Sequence, residues 1–209
     1  MEIFKIKSKF MRGIMDQNTY VVVDSGNSII IDAGADINDV KAAVKDNKVL
    51  AVMLTHAHFD HFWCIEDYIE AFDCDVYICE GVEEKFVDSY KNGSTIIRKE
   101  IVRNVPKDKI KYYKPQIKLE NFDVEVLFSP GHCKDSVCLK FEKTLFSGDT
   151  LFSNGIGRTD IFDSDNNDMI KSLKKIKDLD IDVVYPGHYE ACSKSQADHV
   201  ISYFLKNVL

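Results

Sequence analysis

The 209-residue chain is expected to fold as an α/β protein, a four-layer αββα sandwich with two β-sheets face to face under covering helices and a functional site on one edge. Three observations point there. Short apolar, β-branched runs alternate with amphipathic helical stretches along the chain. An apolar strand closing on Pro-Gly-His occurs twice, at 130–132 and 186–188, so the second half repeats a device. Five of the six histidines (His56, His58, His61, His132, His188) fall in one loop or where a strand should end, and only His199 lies within a helical pattern.

Each element follows from its pattern. Met1 to Phe10 alternates like an edge strand rather than a leader peptide. Thr19 to Asp24 and Ser28 to Asp32 read as strands joined at Ser25-Gly26-Asn27, a hairpin signal. A helix is expected over Ile37 to Lys45, a buried strand over 49–55, a helix over 61–72, a strand over Asp75 to Cys79 and a helix around Val82 to Tyr90. Lys91 to Lys114 is polar and lysine-rich and reads as connecting structure, with Asn92-Gly93 as a turn. Strands are then expected at Phe122 to Phe128, Val137 to Phe141, Thr144 to Phe146 and Val183 to Tyr185. Helices are expected at Asp168 to Ile176 and Gln196 to Leu205, the last with a core-facing stripe of Val200, Ile201, Phe204 and Leu205.

Composition narrows the function classes. A net charge of −7 argues against nucleic acid or an anionic membrane as partner, because those need concentrated basic surface. No run approaches eighteen apolar residues, and the expected location is the cytoplasm. The six cysteines contain no CxxC pair and read as free, mostly buried thiols.

The chemistry starts at Leu54-Thr55-His56-Ala57-His58-Phe59-Asp60-His61. Imidazole and carboxylate are the donors that zinc and iron select. On an extended segment His56 and His58 project to one side, while Asp60 and His61, beyond the strand end, turn towards another point, so one loop could serve two metals. Taken alone, Asp60 could instead cap the following helix. Asp32 either buttresses this loop by hydrogen bonding or serves as a turn or cap. With His132, Asp149 and His188 the chain offers seven nitrogen or oxygen donors, enough for two metals with positions open to water.

These residues, His56-Ala57-His58-Phe59-Asp60-His61, Pro130-Gly131-His132, Gly148-Asp149-Thr150 and Pro186-Gly187-His188, resemble the metallo-β-lactamase superfamily, and most its glyoxalase II-type hydrolases. The resemblance runs from about Asn18 to His188. It implies His56, His58 and His132 on a first metal, Asp60, His61 and His188 on a second, and Asp149 bridging them. Aspartate at 149 is unlike the zinc β-lactamases that place a thiolate there, and His58 is unlike the glutamate of the flavodiiron branch. The segment from Leu151-Phe152 to Ile156-Gly157-Arg158-Thr159-Asp160 resembles a smaller, single-domain glyoxalase II-like group, which implies one domain over 1–209 without the C-terminal helical extension that helps glyoxalase II hold glutathione. Cys133 reads as a packing residue or a support behind the ligands.

The implied activity is hydrolysis of a small acyl thioester, such as S-lactoylglutathione, by an activated water. Two divalent cations, zinc first with iron or manganese as alternatives, would lower that water's pKa to about 7, and Asp60 would orient it. Arg158 either binds a substrate carboxylate or pairs with Asp160. The resemblance leaves two alternatives: a mononuclear iron oxidoreductase like the persulfide dioxygenases, and a lactone or phosphodiester hydrolase. The partner expected is a small molecule; the sequence leaves oligomeric state open.

Overall fold

A computed structural model describes residues 1–9 and 16–207. Phe10, at the end of the expected edge strand, and Leu209 lie outside the described residues. Two compact units emerge, Met1–Tyr113 with Lys118–Phe122, and Lys114–Ile117 with Asp123–Leu209.

The first unit is built on a sheet of order β1-β2-β3-β4-β5-β6: β1 (Glu2–Lys7), β2 (Asn18–Asp24), β3 (Asn27–Ile31), β4 (Lys48–Met53), β5 (Asp75–Ile78) and β6 (Ile110–Tyr112). β1 to β3 are antiparallel, and Ser25 (φ 48°) with Gly26 (φ 80°) makes the turn whose twist matches its flanking strands. From β3 onward pairing is parallel, so helices must carry the chain back: α1 (Ile37–Val44) between β3 and β4, and α2 (Ile65–Phe72) between β4 and β5. Ala51, Val52 and Met53 of β4 are fully buried, as befits a central parallel strand. α1 is capped by Asp36, whose carboxylate accepts from the Asn38 amide at 2.9 Å. The Tyr68 hydroxyl donates to the Ala35 carbonyl at 2.8 Å and pins α2 to the segment leaving β3.

Three expectations change here. The helix expected over 61–72 starts only at Ile65; Phe59–His61 is a 3-10 turn, and the Cys64 amide donates to the Ala33 carbonyl at 2.7 Å rather than into a helical ladder. Asp60 is therefore not the cap of α2, since Cys64 holds that place with no side-chain cap bond. The helix around Val82 to Tyr90 is only a 3-10 turn, Glu83–Phe86. Carbonyls that would feed an α-helix there are taken, that of Lys85 by the Asn92 amide group at 2.9 Å and that of Phe86 by the Arg103 amide at 2.7 Å. β6 falls inside the stretch read as connecting structure; three residues are too short to display a period.

The second sheet has order β12-β11-β10-β9-β8-β7: β7 (Gln116–Leu119), β8 (Phe122–Phe128), β9 (Val137–Phe141), β10 (Thr144–Gly148), β11 (Val183–Pro186) and β12 (Cys192–Ser193). β8 and β9 have the expected bounds, whereas β7 and β12 had no expectation. β10 and β11 are parallel and lie either side of α3 (Asn166–Lys177) in sequence, capped by Asp165 and carrying Lys174, Lys175 and Lys177 in the last turn where the helix dipole favours cations. Met169, Leu173 and Ile176 pack with Leu145, Val184, and Ala197 and Ile201 of α4 (Lys194–Asn207). Val200 and Leu205 pack against that cluster beside Ile201, so three of the four stripe residues join the core, while Phe204 is half-buried outside it. None of the six cysteines is in a disulfide, and Cys74, Cys133, Cys138 and Cys192 are buried. Among the described residues no helix is long and apolar enough to cross a membrane.

Candidate metal centre

In the first unit the chain leaves β4 through Leu54, whose amide still bonds the Tyr77 carbonyl at 3.0 Å, and enters the histidine loop. His56, His58, Asp60 and His61 are all buried, an expensive placement for four polar groups unless something compensates them. The His56 ring centroid lies 4.7 Å from that of His58 and 4.0 Å from that of His61, so the turn brings the third imidazole closer than the strand brings the second. His61 Nε2 stands 3.8 Å from Asp60 Oδ2.

Asp32 settles which ring nitrogens can act as donors to a cation. It follows β3 with φ 62°, a left-handed conformation uncommon for a residue with a side chain. From there its carboxylate accepts the Thr55 amide at 2.7 Å, the Thr55 hydroxyl at 2.9 Å, and His61 Nδ1 at 2.8 Å. The bond to a carboxylate makes His61 Nδ1 the protonated nitrogen, which leaves the lone pair on Nε2, facing Asp60. The Thr55 hydroxyl spends its one proton on Asp32, so its oxygen accepts from His56 Nδ1 at 3.1 Å, and His56 likewise carries its lone pair on Nε2. Asp32 is a buttress, and the turn-or-cap alternative falls.

Close backbone contacts fix the loop. A Cβ on Gly34 would stand 2.2 Å from the Asp60 carbonyl oxygen, and the Ala33 amide donates to the His61 carbonyl at 2.6 Å. The Phe59 amide donates to the Asn92 carbonyl at 3.0 Å, and Asn92 is itself held by side-chain bonds to the Lys85 and Ile101 carbonyls.

In the second unit the remaining three donors come off the ends of β8, β10 and β11. Pro130-Gly131-His132 is held on α3: the Ser172 hydroxyl donates to the Pro130 carbonyl at 2.6 Å, and a Cβ on Gly131 would stand 2.5 Å from the Met169 Cα. Asp149 and His188 leave the neighbouring parallel strands at the same level, tied by the Gly187 amide to the Gly148 carbonyl at 2.8 Å. One carboxylate oxygen, Asp149 Oδ2, stands 3.7 Å from His132 Nε2 and 3.4 Å from His188 Nε2. His132 Nδ1 donates to the Arg158 carbonyl at 2.9 Å; a carbonyl only accepts, so the lone pair of His132 is on Nε2, towards Asp149. Electron pairs of an imidazole and a carboxylate face each other stably only across a cation or a proton. This donor arrangement fits a divalent metal.

A model of the metallo-β-lactamase superfamily matches residues 12–188. The chain belongs to this superfamily. The α/β sandwich expected from the sequence is the family's fold, and the family implies divalent metal ions. A probable metallo-hydrolase, YqgX of Bacillus subtilis, is 31% identical over 165 residues, covering 77% of this chain and 78% of its own. A hydroxyacylglutathione hydrolase of Francisella philomiragia is 28% identical over 196 residues, covering 88% of this chain and 67% of its own. The crystal structure of the BLEG-1 B3 metallo-β-lactamase superposes with a TM-score of 0.87 at 29% identity, over 99% of this chain and 100% of that one. The superfamily's metallo-hydrolase chemistry is thus the frame for the site.

Around the donors the structure adds residues the sequence reading passed over. Thr55 relays the Asp32 contact to His56, and Asn92, read as a turn residue, anchors the histidine loop. Gly157 lies against the second set: a Cβ there would stand 1.9 Å from the Asp149 carbonyl oxygen and 2.8 Å from His132 Nδ1. None announces itself in sequence, since each acts through a tertiary contact; only the Gly-x-Gly at 155–157 hints at a close approach. Arg158 is exposed and its fork grips Asp160, Nε to Oδ1 at 2.8 Å and Nη2 to Oδ2 at 3.0 Å. That contact raises the arginine's pKa and lowers the aspartate's. Cys133 is fully buried with Sγ 3.3 Å from the Ser136 hydroxyl, and His199 is an exposed residue of α4, its Nδ1 bonded to the Ser195 carbonyl.

Proposed function

We propose that residues 1–209 act as one catalytic domain, a binuclear metal-dependent thioesterase of the cytoplasm. In this reading His56, His58 and His132 would hold one ion, Asp60, His61 and His188 would hold the other, and Asp149 would serve both. The observation that carries it is that one oxygen, Asp149 Oδ2, stands 3.7 Å from His132 Nε2 and 3.4 Å from His188 Nε2, as a donor shared between two ions would. Zinc suits this donor set best, with iron or manganese as substitutes.

The chemistry such ions would supply when bound is a water whose pKa is lowered to about 7, and so hydroxide at neutral pH. The Asp60 carboxylate would orient the attacking water towards the acyl carbonyl. Asp32, through His61 directly and through Thr55 to His56, keeps both rings in the tautomer that presents Nε2. A thiolate leaves without help from an acid, because its conjugate thiol has a pKa of about 8.5. Arg158 contacts the substrate carboxylate, exchanging its bidentate hold on Asp160 for it. Similarity to a hydroxyacylglutathione hydrolase supports a small acyl thioester such as S-lactoylglutathione. Neither nucleic acid nor a membrane is a partner in this reading.

The test compares chelated, metal-free protein with protein reloaded with zinc, manganese or iron on S-lactoylglutathione, a lactone, a phosphodiester and a chromogenic cephalosporin. Thioester turnover restored by metal is expected. Turnover at the same rate without metal overturns the proposal, as does exclusive action on another substrate class. Oxygen uptake with glutathione persulfide by the iron-loaded protein, in place of thioester cleavage, would favour the oxidoreductase alternative. His188→Ala should retain one metal equivalent of two; retention of both sinks the assignment of the second ion's ligands.

A further inference from the structure

Nine residues other than glycine have positive φ among the described residues, and eight are polar or charged: Ser25, Asp32, Lys45, Asp73, Arg98, Glu120, Glu142 and Asp163. Asp73 closes α2 and Arg98 the 3-10 turn Ser94–Ile97 in the left-handed conformation that ordinarily terminates a helix, and Lys45 closes α1. Tyr189, at φ 67°, is the one aromatic residue of the nine. A left-handed backbone disfavours any side chain with a Cβ, and such positions persist where the surroundings enforce them.

Core packing does not explain Tyr189, because the residue is 55% exposed. What distinguishes it is its place. It follows His188 directly, and its ring packs edge-on to Phe152, centroids 5.4 Å apart at 66°. Phe152 in turn stands edge-on to His188, 6.0 Å apart at 82°, and is largely buried. Its backbone is fixed by the amide bond to the Gly155 carbonyl at 2.8 Å and by the neighbouring Leu151–Ile156 bridge. Three rings therefore stand in a row: a ligand candidate, a buried spacer and an exposed face held by that spacer.

We propose that Tyr189, backed by Phe152, is the specificity-determining residue for the acyl side of the substrate. It forms an aromatic wall beside His188 that favours a flat apolar group on the α-carbon of the acyl unit over a methyl group. The inference rests on the reading above that His188 belongs to the reaction centre. Tyr189 is the residue next to His188, and its ring touches the same Phe152 ring that touches His188, which sets it beside an α-substituent of a substrate held at that histidine. The exposed tyrosine ring offers such a group an edge or a face, the two geometries aromatic pairs adopt.

Mandelate and lactate differ only by phenyl for methyl and report on the wall without any turnover. Calorimetric titration of metal-loaded wild type is expected to show mandelate binding tighter than lactate by roughly three- to tenfold, the range that ring–ring contacts span. Tyr189→Phe keeps that ratio, and Tyr189→Gly brings it to about one while melting no lower than wild type, since glycine relieves the left-handed strain. A ratio unchanged in Tyr189→Gly, absence of mandelate binding by wild type, or a clear loss of melting temperature in the glycine variant each overturns the proposal. S-lactoylglutathione turnover is measured on the same samples. Its failure alongside a Tyr189-dependent ratio sinks the thioesterase reading and leaves the wall standing, and the reverse pattern sinks only the wall.

Discussion

Replacing Gly157 by alanine tests the second half-site with one methyl group. The new Cβ would lie 1.9 Å from the Asp149 carbonyl oxygen, whereas ordinary contact begins at 3.4 Å, so the parts must separate by about 1.5 Å. Neither neighbour is a flexible chain end: one is backbone at the end of β10 and the other is the His132 ring, tied through Nδ1 to the Arg158 carbonyl. Metal–ligand distances tolerate only about 0.2 Å. The expected result is a loss of roughly 10- to 100-fold in metal affinity, and overpacking should cost about 1–3 kcal/mol. For a chain of this size that is a melting-temperature decrease of about 2–12 °C. The assay is metal content after dialysis at graded free zinc, read beside thermal unfolding of the same samples. Gly155→Ala is the control, since a Cβ there meets only the Phe204 ring at 4.0 Å and should change stability by less than about 0.5 kcal/mol. If Gly157→Ala keeps full metal content and melts with the Gly155 variant, the claimed brace between this loop and the donors does not exist.

Asp32→Asn keeps the size of the side chain but sets an amide hydrogen against either His61 Nδ1 or the Thr55 amide. Flipping the His61 tautomer relieves the conflict and moves its lone pair off Nε2, so metal analysis should show about 10- to 100-fold weaker binding; unchanged affinity would refute the tautomer argument. Arg158→Ala should raise KM for S-lactoylglutathione by about tenfold or more at unchanged melting temperature, because the residue is exposed; an unaltered KM removes it from the substrate site. Burial pushes the Cys138 thiol up to about 11 from an ordinary 9.0, and Cys74 likewise to about 11. Between pH 9 and 11 the unfolded chain releases thiol protons that the folded chain keeps, so stability present below pH 9 is lost as pH rises, by about 1.4 kcal/mol per pH unit for each such group. Urea unfolding at pH 8.5, 9.5 and 10.5 should show it; a flat midpoint contradicts the burial effect.

Much of this was legible in the residues, for definite reasons. The donors stood out because imidazoles and carboxylates packed into His56 to His61, and placed after strands at His132, Asp149 and His188, have no comparable structural use. β8 declared its bounds because a half-buried strand imposes period two over seven residues, and β9 because a strand buried on both faces reads as a short apolar run. β6, β7 and β12 were too short for any period. The helix expected near Val82 failed because the Asn92 side chain, nine residues from its other partner Ile101, claims a carbonyl the helix would need. Thr55 and Gly157 act through space, and a single sequence carries no mark of which atoms will meet.

The Arg158 carbonyl that orients His132 bears on how such an enzyme could be retailored. The donors stand at strand ends, anchored by the sheets, while the segment from Ser153 to Ser164 looks like exchangeable cargo that carries the arginine and little else. It is also a strut. A transplanted loop that brings a new side chain but lacks a glycine at 157, or turns the 158 carbonyl away, would leave the His132 ring wrongly oriented towards Asp149. Diversification here is constrained at the backbone and permissive at the side chains: a new residue at position 158 would trade one substrate contact for another, provided it keeps its carbonyl against His132.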